Sequence, residues 1–237
     1  MRRGVVESRA KAQGLILAGK VFAGERRLDK PGTAVPVDLA LDVRVDPAER
    51  WVSRGALKLI AGLDAFGIDP AGRVALDIGA STGGFTEVLL RRGAARVYAV
   101  DVGYGQLDQR LRHDPRVVVL ERTNARHLTA EQVPEPVDLL VCDASFISLR
   151  LVLEPALALA RPEAQLVALI KPQFEAGRAQ VGKGGVVRDP AVHASVCREI
   201  EAWLGSRPGW RVLGVVPSPI TGPAGNKEFL IGARYEP

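Results

Sequence analysis

The sequence predicts an α/β fold: a doubly wound, mainly parallel sheet, preceded by a small α+β unit. From Val52 onward, continuous apolar runs typical of strands buried on both faces alternate with helical segments. The last two strand-like runs have no helix between them, so they should be antiparallel. Residues 1–45 instead combine one helix with short strand-like runs, too few residues to bury much core alone.

The elements of the small unit follow from its capping and turn residues. A helix is predicted at residues 8–19, with Ser8 as the N-cap and Gly19 as the residue that ends it. Strand-like runs follow at 20–23 and 33–37, separated by a turn-rich segment at 24–32. Residues 46–51 are interpreted as a linker, which places the domains at 1–45 and 52–237.

In the larger domain, a helix is predicted at residues 53–66. Five buried strands are predicted after it, at 74–79, 96–101, 116–120, 137–143 and 165–171. The terminal antiparallel pair is predicted at 211–216 and 228–235, joined by a loop rich in proline and glycine. This order is typical of a doubly wound sheet with one antiparallel edge.

Composition excludes several classes of protein. No stretch reaches the ~18 consecutive apolar residues of a membrane-spanning helix, and the first residues lack the apolar run of a secretory signal. Cys142 and Cys197 have neither CxxC spacing nor a nearby histidine pair. We therefore expect no metal site and two free thiols in a reducing cytosol.

The positive charge is concentrated at the start of the chain. Lysine and arginine number 32 against 27 acidic residues, and residues 1–30, with eight basic and three acidic residues, carry the whole surplus of five. A local basic excess on a neutral body indicates a module that binds a polyanion, although a solvated basic face is the ordinary alternative.

A glycine-rich turn follows the first strand of the larger domain, in the run Ala75-Leu-Asp-Ile-Gly-Ala-Ser-Thr-Gly-Gly-Phe85. Such a turn lets a ligand approach the backbone at a helix N-terminus. It departs from the dinucleotide pattern G-x-G-x-x-G because Ser81 replaces the second glycine. Asp101 ends the next strand, 22 residues after Gly79, where a carboxylate can accept from ribose hydroxyls. A purely structural βαβ turn is the alternative.

Three charged residues fall at strand ends on one edge of the predicted sheet. Asp143 and Lys171 end two parallel strands, and Glu228 opens an antiparallel one, so all three face the crevice where such sheets bind ligands. Lys58 lies in an otherwise apolar helical stretch. Singly, each has an ordinary explanation as a solvated position. Cys142, a possible nucleophile, should face the other side of the strand as an inert core thiol.

These features resemble known families. Asp77, the glycine turn and the antiparallel final pair resemble class I S-adenosylmethionine-dependent methyltransferases, whose sheet is Rossmann-like. The order Lys58, Asp143, Lys171, Glu228 resembles the K-D-K-E tetrad of FtsJ-like ribose 2′-O-methyltransferases. Motifs along nearly the whole chain resemble the TlyA family: residues 8–13, 30–32, 52–55, 77–86, 143–148, 170–175, 184–189 and 225–230.

The resemblance implies an RNA-binding module of the ribosomal-protein-S-four type fused to a methyltransferase domain. The match begins after the helix with which the family's module usually starts, so either the start of the sequence is misplaced or truncated or the module is shortened. The implied cofactor is S-adenosylmethionine, the substrate ribosomal RNA or ribosomal subunits with cytidine 2′-hydroxyls as acceptors, and the location the cytoplasm. No membrane partner is implied.

The resemblance also implies roles for individual residues. The catalytic set is Lys58, Asp143, Lys171 and Glu228, with Lys171 as the base or proton-steering group. An ordinary lysine amine, with a pKa of about 10.4, must be perturbed by burial or a nearby cation to serve as a base. Asn226 is expected to help hold its loop. Lys183 and Arg188 lie in a glycine-rich loop that could close over RNA, although a mobile surface loop explains them as well. The cofactor set is Asp77, Gly79, Ser81, Thr82, Gly83, Gly84, Phe85, Asp101, Val102, Asn124 and Asp143. The RNA-binding set is Arg3, Arg9, Lys11, Lys20, Arg26 and Arg27.

Two alternatives remain. A non-catalytic RNA-binding or ribosome-assembly factor that keeps a methyltransferase fold would be expected to have a degraded tetrad or glycine turn. A haemolysin, a label attached to this family, would need an amphipathic or membrane-spanning segment.

Overall fold

The computed structural model describes residues 9–44 and 51–237. The chain divides into two compact units, Met1–Arg50 and Trp51–Pro237. Ser8, the predicted N-cap, and most of the predicted linker lie outside the described residues.

The first unit contains one helix and a small sheet. Helix α1 spans Arg9–Leu17, and Gly19, with a left-handed φ of 68°, ends it as predicted. The amide of Lys20 donates to the carbonyl of Leu15 at 3.0 Å, closing the last turn. Strand β1 (Val21–Ala23) lies between β2 (Arg26–Arg27) and β3 (Asp42–Val43), and both pairings are antiparallel.

The strand predicted at residues 33–37 is wrong. The partners of β1 are β2, which lies inside the predicted turn segment, and β3. Gly24 has a left-handed φ of 61°, so the chain reverses immediately after β1. Pro36 has no amide hydrogen for a strand ladder, and its carbonyl accepts from the amide of Leu39 within a turn.

The second unit is built on a seven-stranded sheet. Its strand order is β6-β5-β4-β7-β8-β10-β9, in which β10 runs antiparallel to both β8 and β9 and the other pairs are parallel. The predicted doubly wound sheet with an antiparallel end is confirmed. The strands are β4 Val74–Ile78, β5 Arg96–Val100, β6 Val117–Leu120, β7 Val137–Cys142, β8 Ala160–Ile170, β9 Trp210–Pro217 and β10 Phe229–Tyr235.

Helices cover both faces of this sheet. One apolar cluster contains Leu59 and Leu89 from the helices of one face, and the other contains Leu153 and Ile200 from the opposite face. Within β4, Ala75 belongs to the first cluster and Leu76 to the second, because successive strand residues face opposite sides. The helices are α2 Gly55–Phe66, α3 Gly84–Arg91, α4 Gln109–Arg112, α5 Leu149–Leu157, α6 Pro172–Glu175 and α7 Pro190–Gly205, with 3₁₀ turns at Ala125–His127 and Arg178–Gln180.

The topology brings several strand ends to one edge. Strands β4, β7 and β8 are parallel and end there, and β10 begins there because Phe229 pairs with Ile170. Across residues 9–44 and 51–237, no helix has the length and apolar character needed to cross a membrane. The same residues contain no group of three or more histidine, cysteine or acidic side chains that could hold a metal ion.

Candidate active site

Four charged side chains meet at this edge of the sheet. Lys171 Nζ lies 2.6 Å from Asp143 Oδ1, and Lys58 Nζ lies 2.6 Å from Glu228 Oε2. Lys58 Nζ is also 3.7 Å from Asp143 Oδ2, which joins the two ion pairs. The four form a chain of alternating charge, Glu228, Lys58, Asp143, Lys171, called the tetrad below.

Strand ends position three members of the tetrad. Asp143 directly follows β7 and Lys171 directly follows β8, while Glu228 directly precedes β10. The amide of Asp143 donates to the carbonyl of Ile78 at 3.0 Å, which holds it beside the end of β4. The sequence prediction that these residues share one edge is confirmed.

A close approach of α2 to the sheet supplies the fourth member. A Cβ atom on Gly62 would lie 2.6 Å from Val167 Cγ1 of β8, so only glycine allows the helix to pack this closely. Lys58 precedes Gly62 by four residues and therefore lies on the same face of α2. Its amine reaches Glu228 across the end of β10.

Burial distinguishes the tetrad from ordinary surface ion pairs. Lys58, Lys171 and Glu228 are only 7%, 6% and 3% exposed. Lys171 Nζ also donates to the Asp143 carbonyl at 3.1 Å and to Ser145 Oγ at 2.8 Å. Because buried ion pairs repay their desolvation cost poorly, stability alone does not account for three buried charged groups around Asp143. The arrangement indicates chemistry.

Two cavities open beside the tetrad. The tetrad cavity, of about 530 Å³, is lined by all four tetrad members. The Asp101 cavity, of about 500 Å³, lies along the ends of β4 and β5. Both are within the usual size range of small-molecule sites. They share five lining residues, namely Gly79, Ser81, Asp143, Ser145 and Phe146.

The Asp101 cavity brings together six residues of the predicted cofactor set: Asp101, Val102 and Asn124, with the shared Gly79, Ser81 and Asp143. Asp101 accepts from the amides of Ser81 and Gly103 at 2.8 and 2.7 Å, one on each oxygen. Each carboxylate oxygen keeps a second lone pair for a ligand hydroxyl. Asn124 also accepts from the amide of Arg126 at 3.1 Å, so it forms a turn as well as lining the cavity.

The glycine turn shapes the boundary between the cavities. Gly79 has a left-handed φ of 82°, and a Cβ atom there would lie 3.0 Å from the backbone of Ala144. Thr82, Gly84 and Phe85 line the tetrad cavity. Gly83 is not among the lining residues of either cavity, since its Cβ position is blocked by Leu111. Its place in the cofactor set is structural in this geometry.

Asp77 lies beneath the turn and lines neither cavity. It is fully buried, and Thr86 Oγ1 donates to its Oδ2 at 2.6 Å, while Oδ1 has no hydrogen-bond partner among the described residues. Burial raises the pKa of Asp77 to about 7, and the negative charges of Asp143 and Asp101 act in the same direction. Asp77 therefore supports the glycine turn from beneath and has no contact with either cavity.

Cys142 is a core residue. It is fully buried, free, and absent from the lining of both cavities. Burial raises the pKa of the Cys142 thiol to about 12, which keeps it protonated and inert. The prediction that Cys142 faces away from Asp143 and packs in the core is confirmed.

Sequence reasoning missed an aromatic pair at the cavity rim. Phe146 is 90% exposed and has a left-handed φ of 64°, which is uncommon for a bulky residue. Its ring centroid lies 5.1 Å from that of Phe174, and both rings line the tetrad cavity. Phe146 also lines the Asp101 cavity. Its motif was visible in the sequence, but nothing in the sequence indicated its exposure.

The basic residues predicted to bind RNA precede the tetrad residues in the sequence. Arg9, Arg26 and Arg27 are exposed and Lys20 is partly buried, while Arg3 and the side chain of Lys11 lie outside the described residues. Lys183, Arg188 and Lys227 of the second unit are exposed. RNA binding by the first set stays a prediction.

Comparison with known proteins gives consistent matches. The family described as FtsJ-like methyltransferase matches residues 51–235. The chain is 54% identical over 236 residues to the 16S/23S rRNA (cytidine-2′-O)-methyltransferase TlyA of Mycobacterium tuberculosis, covering 100% of this chain and 88% of the relative. It is 39% identical over 229 residues to Hemolysin A of Brachyspira hyodysenteriae, covering 96% and 94%. A solved structure from Streptococcus thermophilus, provisionally named as a hemolysin, matches with a TM-score of 0.77 and 39% identity, covering 99% and 86%.

Proposed function

The chain belongs to the FtsJ-like methyltransferase family, and on that premise we propose that the tetrad is where it methylates ribosomal RNA. The methyl group comes from S-adenosylmethionine, and the acceptor is the 2′-hydroxyl of a cytidine ribose. The acceptor follows the named activity of the Mycobacterium tuberculosis relative. The substrate is presented in ribosomal subunits, and the reaction takes place in the cytoplasm, where that RNA is found.

The Asp101 cavity fits the methyl donor. Asp101 has free lone pairs that accept from the ribose hydroxyls in this proposal, and Val102 and Asn124, which line the same cavity, contact the adenine. The glycine turn, with Gly79, Ser81, Thr82, Gly84 and Phe85, borders the methionine part, and Asp77 supports the turn from beneath through its hydrogen bond from Thr86. When bound, S-adenosylmethionine supplies an electrophilic methyl group on a positively charged sulfur.

The observation that carries the proposal is that the tetrad cavity and the Asp101 cavity adjoin at Asp143. Asp143 lines both of them. A donor held in the Asp101 cavity and a ribose held in the tetrad cavity would therefore meet beside Asp143 and Lys171. Alignment of this kind can supply about 7–11 kcal/mol of the rate enhancement.

The four tetrad residues have different roles in the methyl transfer. A ribose hydroxyl becomes a useful nucleophile when its proton is withdrawn as the oxygen bonds to the methyl carbon and the carbon–sulfur bond breaks. Lys171 accepts or steers that proton, and Asp143 orients Lys171 through their 2.6 Å ion pair. Lys58 and Glu228 position the ribose on the other side of Asp143.

The rim aromatics suit the base of the acceptor nucleotide. Phe146 and Phe174 expose a tilted ring pair at the tetrad cavity, and unstacked bases pack on such rings. The first unit contributes exposed Arg9, Arg26 and Arg27 to the RNA backbone. The substrate is then a nucleotide turned out of folded ribosomal RNA.

The test uses the full chain with methyl-labelled S-adenosylmethionine and unmodified ribosomal subunits, followed by mapping of 2′-O-methyl positions. We expect label at discrete riboses. Lys171→Ala should lower kcat by about 100-fold or more, the usual range for a lost proton-transfer group, while leaving donor binding intact. Lys227→Ala is the matched control, because Lys227 is exposed and does not line the tetrad cavity.

Other outcomes are equally informative. Label on a base rather than a ribose would contradict the assignment of the tetrad. Donor binding without any transfer would favour a non-catalytic RNA-binding factor. Parental turnover by Lys171→Ala would remove Lys171 from its role as base.

A further inference from the structure

The motif Gly184-Gly-Val-Val-Arg-Asp189 has no part in the tetrad, yet it borders it. The chain reverses at this motif, where the amide of Gly182 donates to the carbonyl of Val186 at 3.0 Å. Gly184 and Gly185 have left-handed φ values of 78° and 74°, and both line the tetrad cavity. The 182–187 loop is therefore one wall of that cavity.

The loop is anchored at Val187. The side chain of Val187 is only 2% exposed, and its amide donates to Asn226 Oδ1 at 3.0 Å. The carbonyl of Val187 accepts from Nε2 of His193 at 2.9 Å. Asn226 Nδ2 donates to the carbonyl of Gly185 at 2.9 Å. Three hydrogen bonds from two side chains thus hold the backbone of the loop at Gly185 and Val187.

Both anchoring side chains are buried and come from different elements. His193 is 5% exposed and lies in the first turns of α7, where its ring packs on Phe229 at a centroid distance of 5.8 Å. Asn226 is 3% exposed and lies two residues before Glu228. Asp189 caps α7 by accepting from the amide of Ala191 at 2.8 Å, which fixes the helix that carries His193.

We infer that His193 and Asn226 are positioning residues that hold the 182–187 loop as a preset wall of the acceptor site. This inference rests on the proposed function and assigns a role to a residue, His193, that does not line the tetrad cavity. The sequence suggested a loop that closes over RNA. The hydrogen bonds from His193 and Asn226 instead hold the loop in position before RNA binds. The ribose then contacts a cavity wall that is already formed.

The physical reason lies in the buried backbone groups of Val187. Removing one of these side chains leaves the buried carbonyl or amide of Val187 without a hydrogen-bond partner, which is unfavourable in free energy. The loop lowers that free energy by moving so that the group can bond to water. Movement of the wall weakens the alignment of the ribose with the tetrad. The donor contacts around Asp101 are on other elements and stay unchanged.

The test compares two variants at one position. His193→Phe keeps an aromatic ring beside Phe229 and removes the donor, whereas His193→Gln keeps a donor and removes the ring. We expect His193→Phe to lower kcat/KM for ribosomal RNA by about tenfold, the effect of one lost buried hydrogen bond. His193→Gln should recover most of that loss. The Kd for S-adenosylmethionine should match the parent in both variants.

Hydrogen exchange of the amides in residues 182–187 gives a readout that does not depend on methylation. Exchange should be faster in His193→Phe than in the parent and in His193→Gln. Unchanged exchange with parental kcat/KM in His193→Phe would overturn the inference, as would an equal loss of donor binding, which would indicate general unfolding. If the parent protein does not methylate RNA, the proposed function fails, and the exchange data still decide whether His193 holds the loop.

Discussion

At the scale of single residues, lysine is much rarer than arginine in this chain, and two of its lysines are buried in the tetrad. Arginine is the usual cation here, and only four lysines follow residue 45. Lys183 and Lys227 are exposed, whereas Lys58 and Lys171 are almost fully buried. Guanidinium stays charged in proteins, but an amine can exchange a proton. The two buried lysines are the two that contact Asp143.

Asp77 makes stability depend on pH. Its folded pKa of about 7 exceeds the ordinary 3.8, so between these values the folded state binds more protons than the unfolded state. The contribution of Asp77 is therefore most favourable below about pH 4, falls as pH rises toward 7, and is constant above. Asp77→Asn should raise the free energy of unfolding of the cofactor-free protein at pH 8 relative to the parent, and not at pH 4.

The measurement is chemical unfolding of parent and variant in parallel at several pH values. The difference between the two proteins isolates Asp77, since every other group titrates in both. A difference that stays constant from pH 4 to pH 8 would contradict the assignment of the buried proton to Asp77.

At the scale of elements, the loops after β7 and β8 act as one piece. Glu175 of α6 accepts from the amide of Leu149 at 2.6 Å and from Ser148 Oγ at 2.7 Å, so it caps α5 from a neighbouring segment. Burial raises the pKa of Glu175. Together with the pair Phe146 and Phe174, these contacts keep Asp143 and Lys171 in register.

The packing of α2 on the sheet should be sensitive to a single methyl group. Gly62→Ala places a Cβ atom 2.6 Å from Val167 Cγ1, and the helix must shift and carry Lys58 away from Glu228. We expect a loss of about 1–3 kcal/mol in the free energy of unfolding, as for other overpacked cores, together with reduced methyl transfer. Thermal unfolding and the labelled-methyl assay measure both effects.

Gly205→Ala, at the end of α7, is the matched control for Gly62→Ala. Gly205 is also helical, and its added Cβ atom would meet nothing closer than Val212 Cγ2 at 3.8 Å. This variant should be neutral or slightly stabilising, because alanine favours helix. Equal stability of Gly62→Ala and Gly205→Ala would show that α2 does not depend on the close approach.

At the scale of the whole molecule, the surplus of positive charge and the tetrad belong to different units of the chain. The first 30 residues carry the entire surplus of five positive charges, whereas the tetrad lies in the second unit and has no net charge. Phosphate contacts release bound counterions, so RNA affinity that depends on the first unit should fall steeply with salt.

Replacing the exposed pair Arg26 and Arg27 by alanine should weaken binding to ribosomal RNA and lower the slope of log K against log salt. The slope should fall by about 2, one for each lost phosphate contact. Fluorescence anisotropy with a labelled ribosomal RNA fragment over a salt series measures it. The control replaces Arg207 and Arg211, which pair with Glu154 and Glu236 in the second unit. An unchanged slope in the first variant would count against RNA binding by this face.

The order of apolar runs was enough to predict the doubly wound sheet and its antiparallel end, because a strand buried on both faces has a recognisable pattern. The strands of the small unit were harder to predict from the sequence. A two-residue strand such as Arg26–Arg27 has too few residues to show periodicity, and its pairing with β1 depends on the turn at Gly24.

The sequence by itself determined which charged side chains stand at the sheet edge, because parallel strands end on one side wherever they pair. Only the tertiary structure decided that Lys58 pairs with Glu228, 170 residues away, and that His193 and Asn226 hold one loop. It also decided that Phe146 is exposed and Asp77 is fully buried. The burial of a side chain and its hydrogen-bond or ion-pair partners depend on residues that are distant in the chain. The local sequence therefore does not predict them.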